Sequence, residues 1–287
     1  MYETVPRTTK ESRTLRFLYH TRMGRVCLRA AVSRPVSAAA GRFLDSRLSR
    51  HMIRRFVRKN HIRVSDFEAR RYRSYNDFFT RRILPQRRPV DQNGTHLISP
   101  CDAKLSVYKI EPDSTFSIKG GMYSTAELLR DPALAAEFSG GYCLIFRLSV
   151  DDYHRYCYFD DGKKGKNIFI RGKLHTVRDI ASERYKVFQQ NCREYTVMET
   201  AHFGRAVQIE VGALLVGRIS NHDEEAVFSR GDEKGLFEFG GSTIVLLLKK
   251  DAAEPAPEIL RATAEGCETV VRMGERIGTA KQKGTIS

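Results

Sequence analysis

The 287-residue sequence contains no apolar run near the ~18 residues that a membrane-spanning helix needs, and no signal-peptide pattern. It also lacks any Cys-x-x-Cys pair. Its six cysteines, Cys27, Cys101, Cys143, Cys157, Cys192 and Cys267, are scattered, which excludes a zinc ribbon and a thioredoxin-type motif. That usage fits a reduced, cytosol-facing protein with no metal site. Internal repeats and low-complexity stretches are absent. Acidic residues are scarce at one end only. Residues 1–90 hold 23 Lys and Arg against 6 Asp and Glu, whereas the rest of the chain holds 26 against 28. The formal net charge of +15 is therefore a property of the N-terminal third.

Within that third, apolar residues recur at helical spacing. Leu15, Leu18, Tyr19, Val26 and Ala30 form one stripe, with Arg13, Arg16, Arg22, Arg25 and Arg29 between them; Pro35 interrupts. Leu44, Leu48, Met52, Ile53, Phe56 and Val57 form a second stripe from about Gly41 to Lys59, with six basic residues interleaved. Basic amphipathic helices suit an anionic membrane surface, where each Lys or Arg contributes about 1 kcal/mol. They also suit a core-packed helix with a solvated basic face. An organellar presequence would share the arginine bias, but the helical pattern runs well past a typical one. No nucleic-acid-binding motif accompanies the arginines, so nucleic acid is not an expected partner. Ser65-Asp66-Phe67-Glu68 carries a cap-then-acid pattern that predicts a helix start.

From about residue 95 the texture changes to short apolar or alternating runs punctuated by glycine: Leu105 to Ile110, Cys143 to Leu148, Tyr195 to Met198, Ala206 to Ile219 and Ser242 to Leu248. Many short strands with glycine turns predict a sandwich or barrel-like β domain. The expected architecture is α+β, with basic N-terminal helices over 1–92 and a β-rich catalytic domain over 93–287.

Three polar clusters interrupt the β-rich part: Ser99-Pro100-Cys101-Asp102, Asp151-Asp152-Tyr153-His154-Arg155-Tyr156-Cys157, and Gly240-Gly241-Ser242-Thr243. Alone, the last reads as a tight turn into a buried strand. A serine after two glycines can also fold back so that its hydroxyl reaches the preceding carbonyl. An Asp, a His and a Ser on separate strands are the ingredients of a charge-relay arrangement, in which the Asp orients the imidazole and the imidazole takes the hydroxyl proton.

These clusters, with further blocks, resemble the phosphatidylserine decarboxylase proenzymes, most of all the bacterial branch with a basic helical N-terminus. The resemblance runs from about Leu15 to Gly278. It is carried by Tyr75-Asn76-Asp77-Phe78-Phe79-Thr80-Arg81-Arg82, Ser99 to Asp102, Ile118 to Ser124, Asp152-Tyr153-His154-Arg155, Gly172 to Val177, Val211 to Gly217 and the Gly-Gly-Ser-Thr step. Each block is weak, but their order and spacing are specific.

The resemblance implies self-cleavage between Gly241 and Ser242, assisted by Asp102 and His154. It implies a β chain ending at Gly241 and an α chain opening with a pyruvoyl group made from Ser242. That group is the implied covalent cofactor for decarboxylating phosphatidylserine to phosphatidylethanolamine. A peripheral place on the cytoplasmic face of the cell membrane follows, with a homodimer left open. Another serine-headed lipid, such as an archaetidylserine, would suit the same chemistry; a basic membrane-binding protein without activity is the non-enzymatic alternative. One departure stands out. Cys157 occupies a position that is often a second histidine, so either His154 serves both steps or His175 supplies the missing ring.

Overall fold

The structure, a computed structural model, describes residues 2–7, 13–31, 34–118, 121–172, 187–212, 218–238 and 242–281. Its frame is a ten-stranded antiparallel sheet. The strand Ser242–Leu248 lies near the middle, between Tyr142–Leu148 and Gly204–Gly212. Beyond the first neighbour come Ala103–Lys109, Cys267–Val271 and the edge strand Thr4–Pro6; beyond the second come Arg193–Thr200, Gly162–Lys164 and Ala226–Phe228, and Ile168–Ile170 also pairs with Arg193–Thr200 as the tenth strand. Among the described residues the sheet stays open, so the β-rich part forms without closing as a barrel.

The sequence of the central strand follows from its position. Both faces of the sheet are covered, so every residue from Ser242 to Leu248 is buried, and the strand reads as a continuous apolar run rather than an alternating one. Ile244, Leu246 and Leu248 face one core cluster, with Phe146, Tyr156, Phe237 and Ile277. Val245 and Leu247 face the other, with Ile145, Val207, Ile209 and Phe138. Each such side chain contributes about 1.5–3 kcal/mol on burial. Because side chains alternate along a strand, Ser242 shares its face with Ile244 and Leu246.

Over that face lies a three-stranded sheet, Ile219–Asn221, Glu233–Phe237 and Arg155–Cys157. A third sheet, Ala253–Pro255, Arg276–Ala280 and His96–Ile98, completes the layer near the helix Pro257–Ala264.

The N-terminal region is helical, but the two stripes do not fold as two continuous helices. The helices are Arg13–His20, Arg22–Ala31, Arg34–Asp45 and Met52–Lys59. A 3-10 turn over Arg47–His51, where the Ser49 hydroxyl bonds back to Leu44 O at 2.9 Å, breaks the second stripe. Pro35 ends one pattern by opening the next helix, at a position where a missing amide proton costs nothing. Leu44 packs with Tyr75 and Phe79, and Met52, Ile53 and Phe56 join them. Phe17, Met23, Val26, Val36, Phe43 and Leu48 instead stand exposed.

The helix predicted from Ser65 does not form. Val64–Asp66 makes only a 3-10 turn, because Glu68 N is bonded to Arg82 O and Phe67 bridges Ile83. The helix starts instead at Tyr75 and runs to Phe79. Its cap is Ser74, whose hydroxyl accepts from Asp77 N at 3.1 Å, while the Asp77 carboxylate accepts from Arg73 N at 2.8 Å.

Candidate active site

Ser242 is the first residue of the central strand. Its register partners are Leu148 on one side and Gly212 on the other. It is 1% exposed, and its hydroxyl has no hydrogen-bond partner among the described residues. A buried hydroxyl without a partner costs about 1–3 kcal/mol, so this one signals a use other than stability. The glycine opposite leaves the space beside it free of a side chain. Gly241 and the alternative base His175 lie outside the described residues.

His154 is reached from the same strand partner. After Leu148 the chain turns through Ser149–Asp152, where Asp152 N donates to Ser149 O at 3.0 Å and the Asp152 carboxylate accepts from Ser149 N at 2.6 Å. Lys104 Nζ holds that carboxylate through both oxygens, at 2.8 and 2.7 Å. Burial pushes the Asp152 carboxyl up to about 6, against the pull of Lys104.

His154 follows this turn, 1% exposed. Its Nδ1 lies 2.9 Å from Asp152 O. A carbonyl oxygen only accepts, so Nδ1 carries the proton and, in the neutral ring, Nε2 carries the lone pair. The His154 carbonyl accepts from Phe237 N at 2.9 Å, which ties the histidine to the segment leading into the Gly-Gly-Ser step. The Phe79 ring packs on the imidazole, with centroids 4.2 Å apart.

Asp102 is placed differently from a charge-relay carboxylate. Arg88 grips it with Nε at 2.7 Å on one oxygen and Nη2 on the other, and Met273 N donates to it at 2.9 Å. Among the described residues none of its hydrogen bonds goes to His154. Burial works to lower the Arg88 guanidinium's pKa, but the hydrogen bonds and charge of Asp102 outweigh it and raise the pKa above its ordinary value.

Cys157 lies close to Asp102 in the same region, with its amide bonded to Pro100 O at 2.9 Å. Burial pushes its thiol up to about 12, and the Asp102 charge adds to the rise. A thiol held neutral in this way is not a proton acceptor near neutral pH. A cleft of about 240 Å³ opens beside this strand, lined by Tyr153, Arg155, Cys157, Glu233 and Met273 among others.

Sequence reasoning missed one further charged pair. Glu210 stands opposite Ile244, so it lies on the same face as Ser242 and diagonal to it, a relation that spans about 7–8 Å in a sheet. Its carboxylate accepts from Lys234 Nζ at 2.8 Å and from Gln208 at 3.0 Å, and Lys234 also reaches Asn221 at 2.7 Å. Lys234 and Glu210 are both 0% exposed. The only hint in the sequence was two charges set among strand residues. Among the described residues no cluster of His, Cys, Asp and Glu could hold a metal ion.

A buried serine heading a central strand and a buried histidine whose Nδ1 carries the proton, set just after the turn that follows the neighbouring strand, are the ingredients of a candidate acyl-shift site. The chain belongs to the phosphatidylserine decarboxylase family, whose model matches residues 75–279. It is 48% identical to "Phosphatidylserine decarboxylase proenzyme 2" of Clostridium acetobutylicum, over 92% of this chain and 91% of that one. It is 40% identical to the phosphatidylserine decarboxylase proenzyme of Ruminiclostridium cellulolyticum, over 95% and 93%. The corresponding protein of Desulfitobacterium hafniense is 37% identical, over 94% and 92%.

Proposed function

We infer that this chain is a phosphatidylserine decarboxylase that processes itself between Gly241 and Ser242. The observation that carries the reading is the buried Ser242 hydroxyl at the head of the central strand, which has no hydrogen-bond partner among the described residues. His154 accepts the hydroxyl proton at Nε2. The Ser242 oxygen bonds to the Gly241 carbonyl carbon, the C–N bond breaks, and the Ser242 nitrogen takes up a proton. Loss of the Ser242 α-proton then expels Gly241 as a carboxylate, and water releases the nitrogen as ammonia. The result is a β chain of 1–241 and an α chain of 242–287 opening with a pyruvoyl carbonyl.

The site fits that group. Its precursor side chain is buried, has no competing hydrogen bond among the described residues, and faces a glycine across the ladder. A pyruvoyl carbonyl supplies an electron sink for the bond to the departing carboxylate. This chain's own contribution is to exclude water around residue 242 and to hold a proton at His154. An imidazole suits proton delivery because its ordinary pKa is about 6.5. Asp102 acts in this reading by holding the 100–102 loop and strand Ala103–Lys109 in place, through Arg88 and Met273, rather than by touching the imidazole.

The helical region 1–92 is the membrane-associating part and 93–287 the catalytic part. What supports this is the exposed apolar set Phe17, Met23, Val26, Val36, Phe43 and Leu48 within the arginine-rich segment. The same basic, partly apolar helices suit peripheral attachment to the anionic leaflet that holds the lipid substrate; among the described residues no helix is long and apolar enough to cross a membrane.

Intact mass spectrometry of the purified protein tests the reading. Two chains are expected, the smaller covering 242–287 and blocked to Edman degradation, together with carbon dioxide release from phosphatidylserine vesicles. Active protein that remains one chain with a free serine would overturn it.

A further inference from the structure

The block Tyr75-Asn76-Asp77-Phe78-Phe79-Thr80 touches two parts of the site at once. We propose that the helix Tyr75–Phe79 is the positioning element for scission: Phe79 sets the plane of the His154 ring, and Asn76 anchors the segment that enters the Gly-Gly-Ser step. The proposal rests on the self-processing reading above and assigns to this helix a role in the first reaction of the protein.

Phe79 supplies the first contact. Its ring lies 4.2 Å from that of His154, inclined at 45°. Together with the bond from Nδ1 to Asp152 O, it fixes both the tilt and the spin of the imidazole, and hence where Nε2 points. Phe79 is itself held by Leu44 and Tyr75 and by the N-terminal Phe56.

The second contact is Asn76. Its amide donates to Asp45 Oδ1 at 2.8 Å and to Glu238 Oε2 at 3.3 Å. Glu238 is also held by Arg218, through Nη1 at 3.1 Å and through its own backbone amide on Arg218 O at 3.0 Å. Glu238 precedes Gly241 by three residues. A primary amide between two carboxylates can bond both only by donating both hydrogens. Asn76 thus joins the end of the helix Arg34–Asp45 to the approach of the cut site.

The helix itself is pinned at both ends. Ser74 caps its start. At its end, Arg155 donates to Thr80 O from Nε at 2.9 Å and from Nη2 at 2.8 Å, and grips Glu233 at 2.6 Å. Arg155 follows His154 directly, so the clamp closes a short ring: His154, Arg155, Thr80, Phe79 and back to His154. Intramolecular attack depends on the reacting atoms being held within a few tenths of an ångström, and a misplacement of about 1 Å costs on the order of 100-fold.

The test is the rate at which the freshly made full chain converts to two chains, followed by pulse-chase on a gel. Asn76→Ala and Phe79→Leu should slow conversion at least about tenfold. Asn76→Asp, which sets a carboxylate between Asp45 and Glu238, should be slower than Asn76→Ala. Asn76→Gln, which restores the two donors, should recover much of the rate. Thermal midpoints of the Asn76 series, measured in the Ser242→Ala background, identify any variant that merely fails to fold. Rescue by Gln at unchanged midpoint is the signature of positioning. Conversion of all Asn76 variants at the unaltered rate would overturn the proposal. Ser242→Ala alone separates the two readings: if it is still cut, self-processing at Ser242 is wrong; if it stays whole while the Asn76 and Phe79 variants convert normally, only the role of this helix is wrong.

Discussion

Arg88 holds both carboxylate oxygens of Asp102 in a fork, with Met273 N as a third donor. The pair joins the end of the N-terminal region to the strand layer that carries the site, and little of either side chain is exposed. Breaking a buried pair by removing one partner leaves an uncompensated charge. Arg88→Ala is therefore expected to destabilise the protein by about 3–5 kcal/mol. Arg88→Lys, which lacks the planar fork, should recover only part of this. Urea unfolding of the two variants checks both; a loss below about 1 kcal/mol for Arg88→Ala would show that the fork carries no load.

Ser242→Ala should leave an uncut, folded chain without decarboxylase activity. It removes a buried hydroxyl that has no partner among the described residues, so stability should hold or rise by about 1 kcal/mol. Differential scanning calorimetry of the uncut variant reads this directly. A large drop in midpoint would mean that the hydroxyl is structural.

Asp152 gives a pH dependence with a definite sign. Its carboxyl sits at about 6 in the fold, above its ordinary value of 3.8. The folded protein thus holds this proton more tightly than the unfolded chain does. The associated stability is full below the unfolded value and is lost as pH rises through about 6, a cost on the order of 3 kcal/mol. The stability of Asp152→Asn, minus that of the parent, should therefore become more favourable to the variant between pH 4 and 7. Urea midpoints at four or five pH values suffice, and a pH-independent difference would refute the shift.

Lys234 and Glu210 are expected to behave as one unit. Lys234→Met alone leaves a buried carboxylate unpaired and should cost about 3–5 kcal/mol. Lys234→Met with Glu210→Gln should recover most of that loss. Simple additivity of the two single changes would contradict the pairing.

Membrane attachment through the N-terminal helices predicts that Met23→Glu with Leu48→Glu weakens flotation with phosphatidylserine-containing vesicles. Binding by the parent should also fall as salt rises, since part of it is charge attraction. Unchanged flotation by the double variant would place the contact elsewhere.

What could be read in advance divides along physical lines. The strand Ser242–Leu248 was legible because burial on both faces leaves an unbroken apolar run. The helical character between Arg13 and Lys59 was legible because its stripes repeat at 3.6 residues, but the breaks at Thr21 and over Arg47–His51 were not, since the apolar spacing runs across them. The start at Ser65 misled because its cap pattern is local, while the pairing of Glu68 with Arg82 that displaced it comes from a segment further on. The strand Thr4–Pro6 is too short to show a period, and its partner Cys267–Val271 lies at the far end of the chain.

At the site, Ser242 and His154 stood out by residue type and by resemblance. Arg88 did not, since nothing distinguishes it locally from the neighbouring arginines; only the folded chain selects it for Asp102. The weakness of Cys157 as a base was readable from thiol chemistry, and its buried surroundings strengthen that reading.

The central place of Ser242–Leu248 has one more consequence. That strand pairs with Tyr142–Leu148 and Gly204–Gly212, Cys267–Val271 pairs with Thr4–Pro6 and Ala103–Lys109, and Arg276–Ala280 pairs with His96–Ile98. A cut before Ser242 would leave two polypeptides woven through shared sheets. Unfolding, first the affair of one molecule, would become a dissociation, and the midpoint of the processed protein would climb with its concentration while that of Ser242→Ala stayed fixed.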